Sequence, residues 1–212
     1  MNSNSRIELR PFKVAIFDDY FNPCLVQAAC EEWPANDWFG WHKYSDGHAS
    51  KYASRVARDI PASCLTLLDE MSKFPLFDLC PYFYQHGCFP DMQGYYGGGL
   101  HMFTPGGMLD CHLDALNHPS KPWQRVVNLL LYIMPDWEAS WGGQLNLHDA
   151  DKRIVNTVQP KFNRLVLFQP TRTAWHSVSP ISNECGQYRK SLATFFWKRG
   201  ESVNSNTCAK FE

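Results

Sequence analysis

The sequence predicts a mainly β chain with flanking helices (α+β), organised as a β-barrel with helices packed on its outside. Three observations predict it. From Tyr95 onward, short apolar runs alternate with Gly, Pro and Asn, the pattern of closely spaced strands joined by turns. Before Tyr95 the local signals are mostly helical. The chain has 212 residues, 44% of them hydrophobic and without an internal repeat, which suits one core rather than several.

The elements follow in order. Val14 to Phe17 is a short apolar strand. Asn22-Pro23 pairs a capping side chain with a proline at the first helical position, opening a helix towards Glu32. From Trp33 to Ile60 the residues Trp33, Trp38, Trp41, Tyr44 and Tyr52 stand among polar neighbours with little periodicity, which predicts a long loop and a candidate lid. Pro61 opens a second helix, with Leu65, Leu68 and Met71 at three-residue steps. Strands are then expected at Gly99–Thr104, Met108–His112, Val126–Met134, Gln144–Leu147, Ile154–Val158, Arg164–Phe168, Ser177–Val178 and Ser191–Trp197. Both ends, MNSNS and residues 200–212, are expected to fray. The reading is a single domain, 1–212, with a helical N-terminal region 1–94 that carries the lid segment 33–60, and a barrel core 95–199.

Composition excludes some classes. The formal net charge is -1 and no Lys/Arg run stands out, which argues against a general grip on nucleic acid. No apolar run approaches the ~20 residues that cross a bilayer, and the start, MNSNSRIELRPFK, lacks the apolar segment of an export signal. Eight cysteines without a C-x-x-C pair read as reduced thiols, hence a cytoplasmic location.

The chemistry centres on His112-Leu113-Asp114. In an extended segment residues i and i+2 share a face, so an imidazole and a carboxylate can meet one ion. His176 follows after several more strands and opens a short apolar run. Two imidazoles and one carboxylate leave three octahedral positions open, an arrangement associated with Fe(II) oxygenases. Arg189 directly precedes the last strand and offers a planar fork for a carboxylate. Two rivals share part of this pattern: a zinc-type hydrolytic metalloenzyme using the same three ligands, and a non-catalytic cupin-like barrel that binds a small molecule or sugar. Gly97-Gly98-Gly99 is not a phosphate loop, since no G-K-[ST] follows; it reads as a barrel-edge bend. His101, Asp110 and His148 are further candidates for the pocket.

Set in order, several stretches resemble one family: Gly106 through Asp114; Arg125 through Ile133, then Trp137; Trp141-Gly142-Gly143-Gln144-Leu145; Pro160 through Phe168; His176-Ser177-Val178; and Arg189-Lys190-Ser191. Across Gly97–Trp197 the chain resembles the prolyl-4-hydroxylase-type Fe(II)/2-oxoglutarate-dependent oxygenases. The resemblance implies a double-stranded β-helix (jelly-roll, cupin-like) barrel, with His112, Asp114 and His176 as iron ligands. Arg189 matches the residue that pairs with the distal carboxylate of 2-oxoglutarate, and Tyr132 a tyrosine that donates to the same group. One departure is Met102-Phe103, where some relatives place a cosubstrate-binding tyrosine. Asp114, rather than Gly or Ala, disfavours the halogenases of the superfamily. The implied reaction consumes O2 and releases succinate and CO2 while hydroxylating an unactivated C–H bond of a prolyl or other amino-acid residue, or of a small polar molecule, with ascorbate keeping the iron ferrous. In the candidate lid, Trp38, Trp41, His42 and Lys51 are the expected substrate contacts.

Overall fold

The computed structural model describes residues 5–54, 59–91, 95–200 and 207–211. Its N-terminal part runs β1 (Ser5–Glu8), β2 (Val14–Phe17), α1 (Pro23–Glu31), β3 (Trp41–Ser45), β4 (Ala49–Ser54), α2 (Ala62–Ser72), α3 (Leu76–Leu79) and β5 (Phe89–Pro90). The barrel strands are β6 (Gly99–Phe103), β7 (Met108–Leu113), β8 (Trp123–Tyr132), β9 (Leu145–His148), β10 (Ile154–Val158), β11 (Arg164–Phe168), β12 (His176–Val178) and β13 (Arg189–Arg199), followed by β14 (Lys210–Phe211). All pair antiparallel in one curled sheet of order β1-β2-β11-β8-β13-β6-β4-β7-β12-β9-β10; β3 adds to β4, β5 to β13 and β14 to β7. The mainly β barrel with helices outside is the expected fold.

Alternation explains the layers. On β2, Val14 and Ile16 enter one apolar cluster with Val166 and Phe168 of β11 and with Leu145 and Leu147 of β9. Ala15 and Phe17 point the other way, into a larger cluster with Leu165, Leu167, Val26 of α1 and Leu67 of α2. A strand covered on both faces reads as an unbroken apolar run, as Val14–Phe17 does. The helix signals hold: the Asn22 side chain accepts from the Cys24 backbone N–H at 2.9 Å, and Pro61 precedes α2.

Two expectations need correction. The stretch 33–60 is not a structureless loop but carries the β3–β4 hairpin, paired from Trp41↔Ser54 to Ser45↔Ser50. Four of the five β3 residues are exposed, so no apolar alternation marks the strand. Nor does the C-terminal end simply fray, because Lys210 and Phe211 pair with Leu113 and His112 of β7. Among its described residues, region 1–94 thus holds five strands beside its three helices.

Candidate metal centre

His112 lies near the end of β7 and His176 opens β12, directly opposite it in the ladder. Asp114 follows His112 by one step of the pleat. The three offer ligand atoms all within 4.8 Å of one another. His112 Nε2 is 3.6 Å from Asp114 Oδ1, and His176 Nε2 is 3.7 Å from Asp114 Oδ2.

The hydrogen bonds behind these atoms test whether the set suits a metal. His112 Nδ1 sits 2.8 Å from the Asp110 carbonyl oxygen, and His176 Nδ1 2.9 Å from that of Ala174. A carbonyl only accepts, so both Nδ1 atoms carry the proton and both Nε2 lone pairs are free toward the common point. Burial pulls His176 down to about 4, so the ring is neutral at neutral pH. Burial also opposes the Asp114 anion, but His176, His112 and Arg125 together outweigh it and hold the carboxyl well below its ordinary range. Two imidazoles and one carboxylate, oriented from behind, fit the donor set of an Fe(II) site open on one side.

Two further residues hold Asp114. Asn128 of β8 donates to Asp114 Oδ2 at 2.6 Å, and Arg125 Nη1 stands 3.8 Å from the same oxygen. Arg125 reaches the site because β8 carries an extra residue: Phe196 pairs with Val127 but Trp197 with Arg125, skipping Val126. A regular strand would put Arg125 on the face of Val127, Leu129 and Leu131, which lies in the core under the helices. The bulge flips the phase, and Arg125 joins Asn128 and Leu130 on the cavity side. Its guanidinium then stacks 3.8 Å from the centre of the Phe195 ring. A second bulge sits on β7, where Leu109 and His112 face Val178 and His176. It puts Leu109 and His112 on the same cavity and leaves the Asp110 carboxylate beside His48 instead, at 3.2 Å.

Arg189, at the start of β13, is 2% exposed. Its Nε donates to the Gly143 carbonyl at 2.6 Å and its Nη2 to the Tyr132 hydroxyl at 3.2 Å. Gly142 and Gly143 both have positive φ, and a Cβ on Gly142 would stand 2.2 Å from the Pro180 carbonyl oxygen, so this turn requires glycine. Among the described residues no carboxylate pairs with Arg189. A buried cation without an acidic partner calls for an anionic ligand.

An inner cavity of about 110 Å³ is lined by His112, Asp114 and His176 together with Phe103, Leu145, Phe168, Val178 and Arg189. It opens into an outer chamber of about 610 Å³ walled by the hairpin residues His42, Tyr44 and Lys51, by Tyr95 and Tyr96, and by the C-terminal Phe211. Phe211 also stacks on the His112 ring, with centroids 5.4 Å apart.

The expected residues therefore divide. His112, Asp114, His176 and Arg189 come together, and His42, Lys51 and His101 line the chambers. Tyr132 is fully buried and meets the site through Arg189 rather than as a wall of either cavity. Trp38 and Trp41 pack edge to face in the core around Trp33 and line neither chamber. His148 is fixed between the Lys152 carbonyl and the Ser177 hydroxyl, outside both. Phe103 occupies the inner wall without a hydroxyl.

Comparison with known proteins agrees with this geometry. Residues 98–197 match the 2OG-Fe(II) oxygenase superfamily. Mouse prolyl 3-hydroxylase OGFOD1 is 34% identical over 92 residues, covering 41% of this chain and 16% of that protein. Prolyl 3,4-dihydroxylase OGFOD1 of Ostreococcus tauri is 29% identical over 116 residues, 50% of this chain and 21% of its own. The chain thus spans 16% to 21% of these relatives' length. Among solved structures, a Pseudomonas putida prolyl-4-hydroxylase superposes with a TM-score of 0.65 at 22% identity, over 88% of this chain and 93% of that one. A Trichoplax adhaerens prolyl hydroxylase, in complex with a hypoxia inducible factor peptide fragment, gives 0.61 at 17% identity, over 87% and 83%. The stretch that matches the 2OG-Fe(II) oxygenase superfamily is the one that holds His112, Asp114, His176 and Arg189.

Proposed function

We propose that the protein is an Fe(II)- and 2-oxoglutarate-dependent dioxygenase that hydroxylates an unactivated C–H bond, with a prolyl residue of a peptide as the first class to test. The carrying observation is the pairing, in one small cavity, of a two-histidine, one-carboxylate set with a buried arginine that lacks an acidic partner. His112, Asp114 and His176 would hold the iron, which when bound supplies the activation of O2 coupled to decarboxylation of 2-oxoglutarate to succinate and CO2. The rest is done by the chain. Arg189 receives the distal carboxylate of the cosubstrate, held in line by Gly143 and Tyr132. Asn128 fixes the rotamer of Asp114. Phe103, Leu145, Phe168 and Val178 keep water from the inner chamber. A hydrolytic zinc site gives Arg189 no task.

The prolyl assignment is supported by the names of the relatives above, and the open outer chamber admits either a peptide segment or a small polar molecule. Ascorbate as reductant and a cytoplasmic location belong to the same proposal; free Cys80 and Cys88 thiols suit a reducing compartment. No described helix is long and apolar enough to cross a membrane. The test is succinate formation from 2-oxoglutarate with added Fe(II), with and without prolyl peptides. Undiminished formation in an Asp114→Ala, His176→Ala double variant would overturn the reading.

A further inference from the structure

Lys51 stands where the two chambers meet. It lines both, together with His101, His112, Asp114 and Arg125. Its strand explains the position: β4 pairs with β7 through Ala49 and Ser50, then crosses to β6 through Tyr52 and Ala53. Lys51 is the residue at the crossing.

Among the described residues the ammonium has no acidic partner. Among the described residues it makes no hydrogen bond or ion pair, and the Tyr44 ring, 5.4 Å away, is its one cation–π contact. Among the described residues two carboxylates line the chambers, Asp46 and Asp114. Asp46 already accepts the backbone N–H groups of His48 and Ala49, at 3.1 and 3.0 Å. Asp114 is taken by Asn128, Arg125 and the metal set. Burial holds His101 neutral, down to about 3, and draws Lys51 down to about 8, still mostly charged at neutral pH.

Charge balance sharpens the point. Lys51, Arg125 and Arg189 face one carboxylate at the inner site. A divalent iron and a dianionic cosubstrate cancel, which leaves two positive charges in excess at the place where the substrate must enter. Arg125 is stacked on Phe195 and turned to Asp114, so Lys51 is the flexible cation left over. We infer that Lys51 determines specificity by receiving a carboxylate of the substrate, so that the hydroxylated molecule carries one acidic group near its reacting carbon. This inference rests on the oxygenase reading and names a feature of its substrate. The carboxylate has two sources, a free amino acid or an acidic residue of a peptide.

The experiment uses matched pairs with the Fe(II)- and 2-oxoglutarate-loaded protein. Free L-proline is compared with its carboxamide, and a prolyl peptide flanked by Asp with the same peptide flanked by Asn, by succinate released above the substrate-free rate. One charged contact predicts a preference of about ten- to a hundredfold in kcat/KM for the acidic member of one pair. Which pair responds identifies the source. Lys51→Gln should abolish the preference, mainly through KM, and Lys51→Arg should restore it, which a merely structural lysine would not do. Equal use of both members, preference for the neutral one, response to neither pair, or a preference that survives Lys51→Gln overturns the inference. Absence of 2-oxoglutarate turnover in the wild type would instead overturn the oxygenase reading beneath it.

Discussion

Replacing Arg189 by Met separates what the side chain costs the fold from what it does for a ligand. Arg189 is 2% exposed, and its two hydrogen bonds go to neutral oxygens, the Gly143 carbonyl and the Tyr132 hydroxyl. A buried ion without an opposite charge carries an effective penalty of several kcal/mol. Removing it strands the Gly143 carbonyl and frees the Tyr132 hydroxyl, which returns about 1–3 kcal/mol for each buried group left unpaired. Several kcal/mol set against about 2–6 kcal/mol for the two groups nearly cancel, so the ligand-free protein should stay within about 3 kcal/mol of the wild type. Function moves much further. Loss of a charge-assisted contact to the distal carboxylate of 2-oxoglutarate costs about 3–5 kcal/mol, a hundredfold or more in its KM. Thermal unfolding of metal-free protein and succinate release against 2-oxoglutarate concentration read the two effects. A variant that melts far below the wild type and keeps its KM would show that Arg189 is a structural cation, and would refute the reasoning.

Two other expectations are smaller in scope. Asn128→Ala removes the 2.6 Å bond that orients Asp114 and should weaken metal binding about 10- to 100-fold, read by titration calorimetry with Fe(II) under anaerobic conditions; unchanged affinity would leave Asn128 no part in the site. Asp18 accepts from Arg164 through both oxygens, at 2.5 and 2.7 Å, and this bond holds its carboxyl below the ordinary value. A depressed folded pKa contributes stability above about pH 3.9 and loses it as pH falls through the folded value. Asp18→Asn should therefore be less stable than wild type in urea at pH 7, with the gap narrowing at pH 3. A gap independent of pH would refute it.

Legibility followed the regularity of the backbone. Strand Arg164–Phe168 is legible to the residue because it is an uninterrupted run between turn signals, in regular register with β2 and β8. The start of α1 was legible because an Asn-Pro pair fixes both cap and first turn. The metal ligands were legible for the same reason: His112 and Asp114 are two apart in an extended segment, and that spacing fixes their shared direction. Strand β3 was not, because it lies outside β4 with four of its five residues exposed, and no core imposes alternation on it. The C-terminal strand is two residues long, too short to carry any periodicity.

Arg125 and Asn128 were hidden for a different reason. Arg125 lies three residues from Asn128, an odd spacing that a regular strand would send to opposite faces. Only the extra residue at Val126 brings both to Asp114, and its existence depends on how β13 pairs from the far end of the chain. Leu109 and His112 repeat the case on β7. Lys51 depends on a strand that leaves one neighbour for another midway. His112 and Asp114 share a face through the local pleat and so can be found in three consecutive letters, while His176 joins them through the β7–β12 ladder. Arg125 rests on a ladder defect, which is a property of two strands together. Bulges next to a site re-aim side chains without changing the strand's composition. A barrel of this kind can therefore keep its three ligands fixed while a single inserted or deleted strand residue rotates a different side chain, with a different charge, over the same opening.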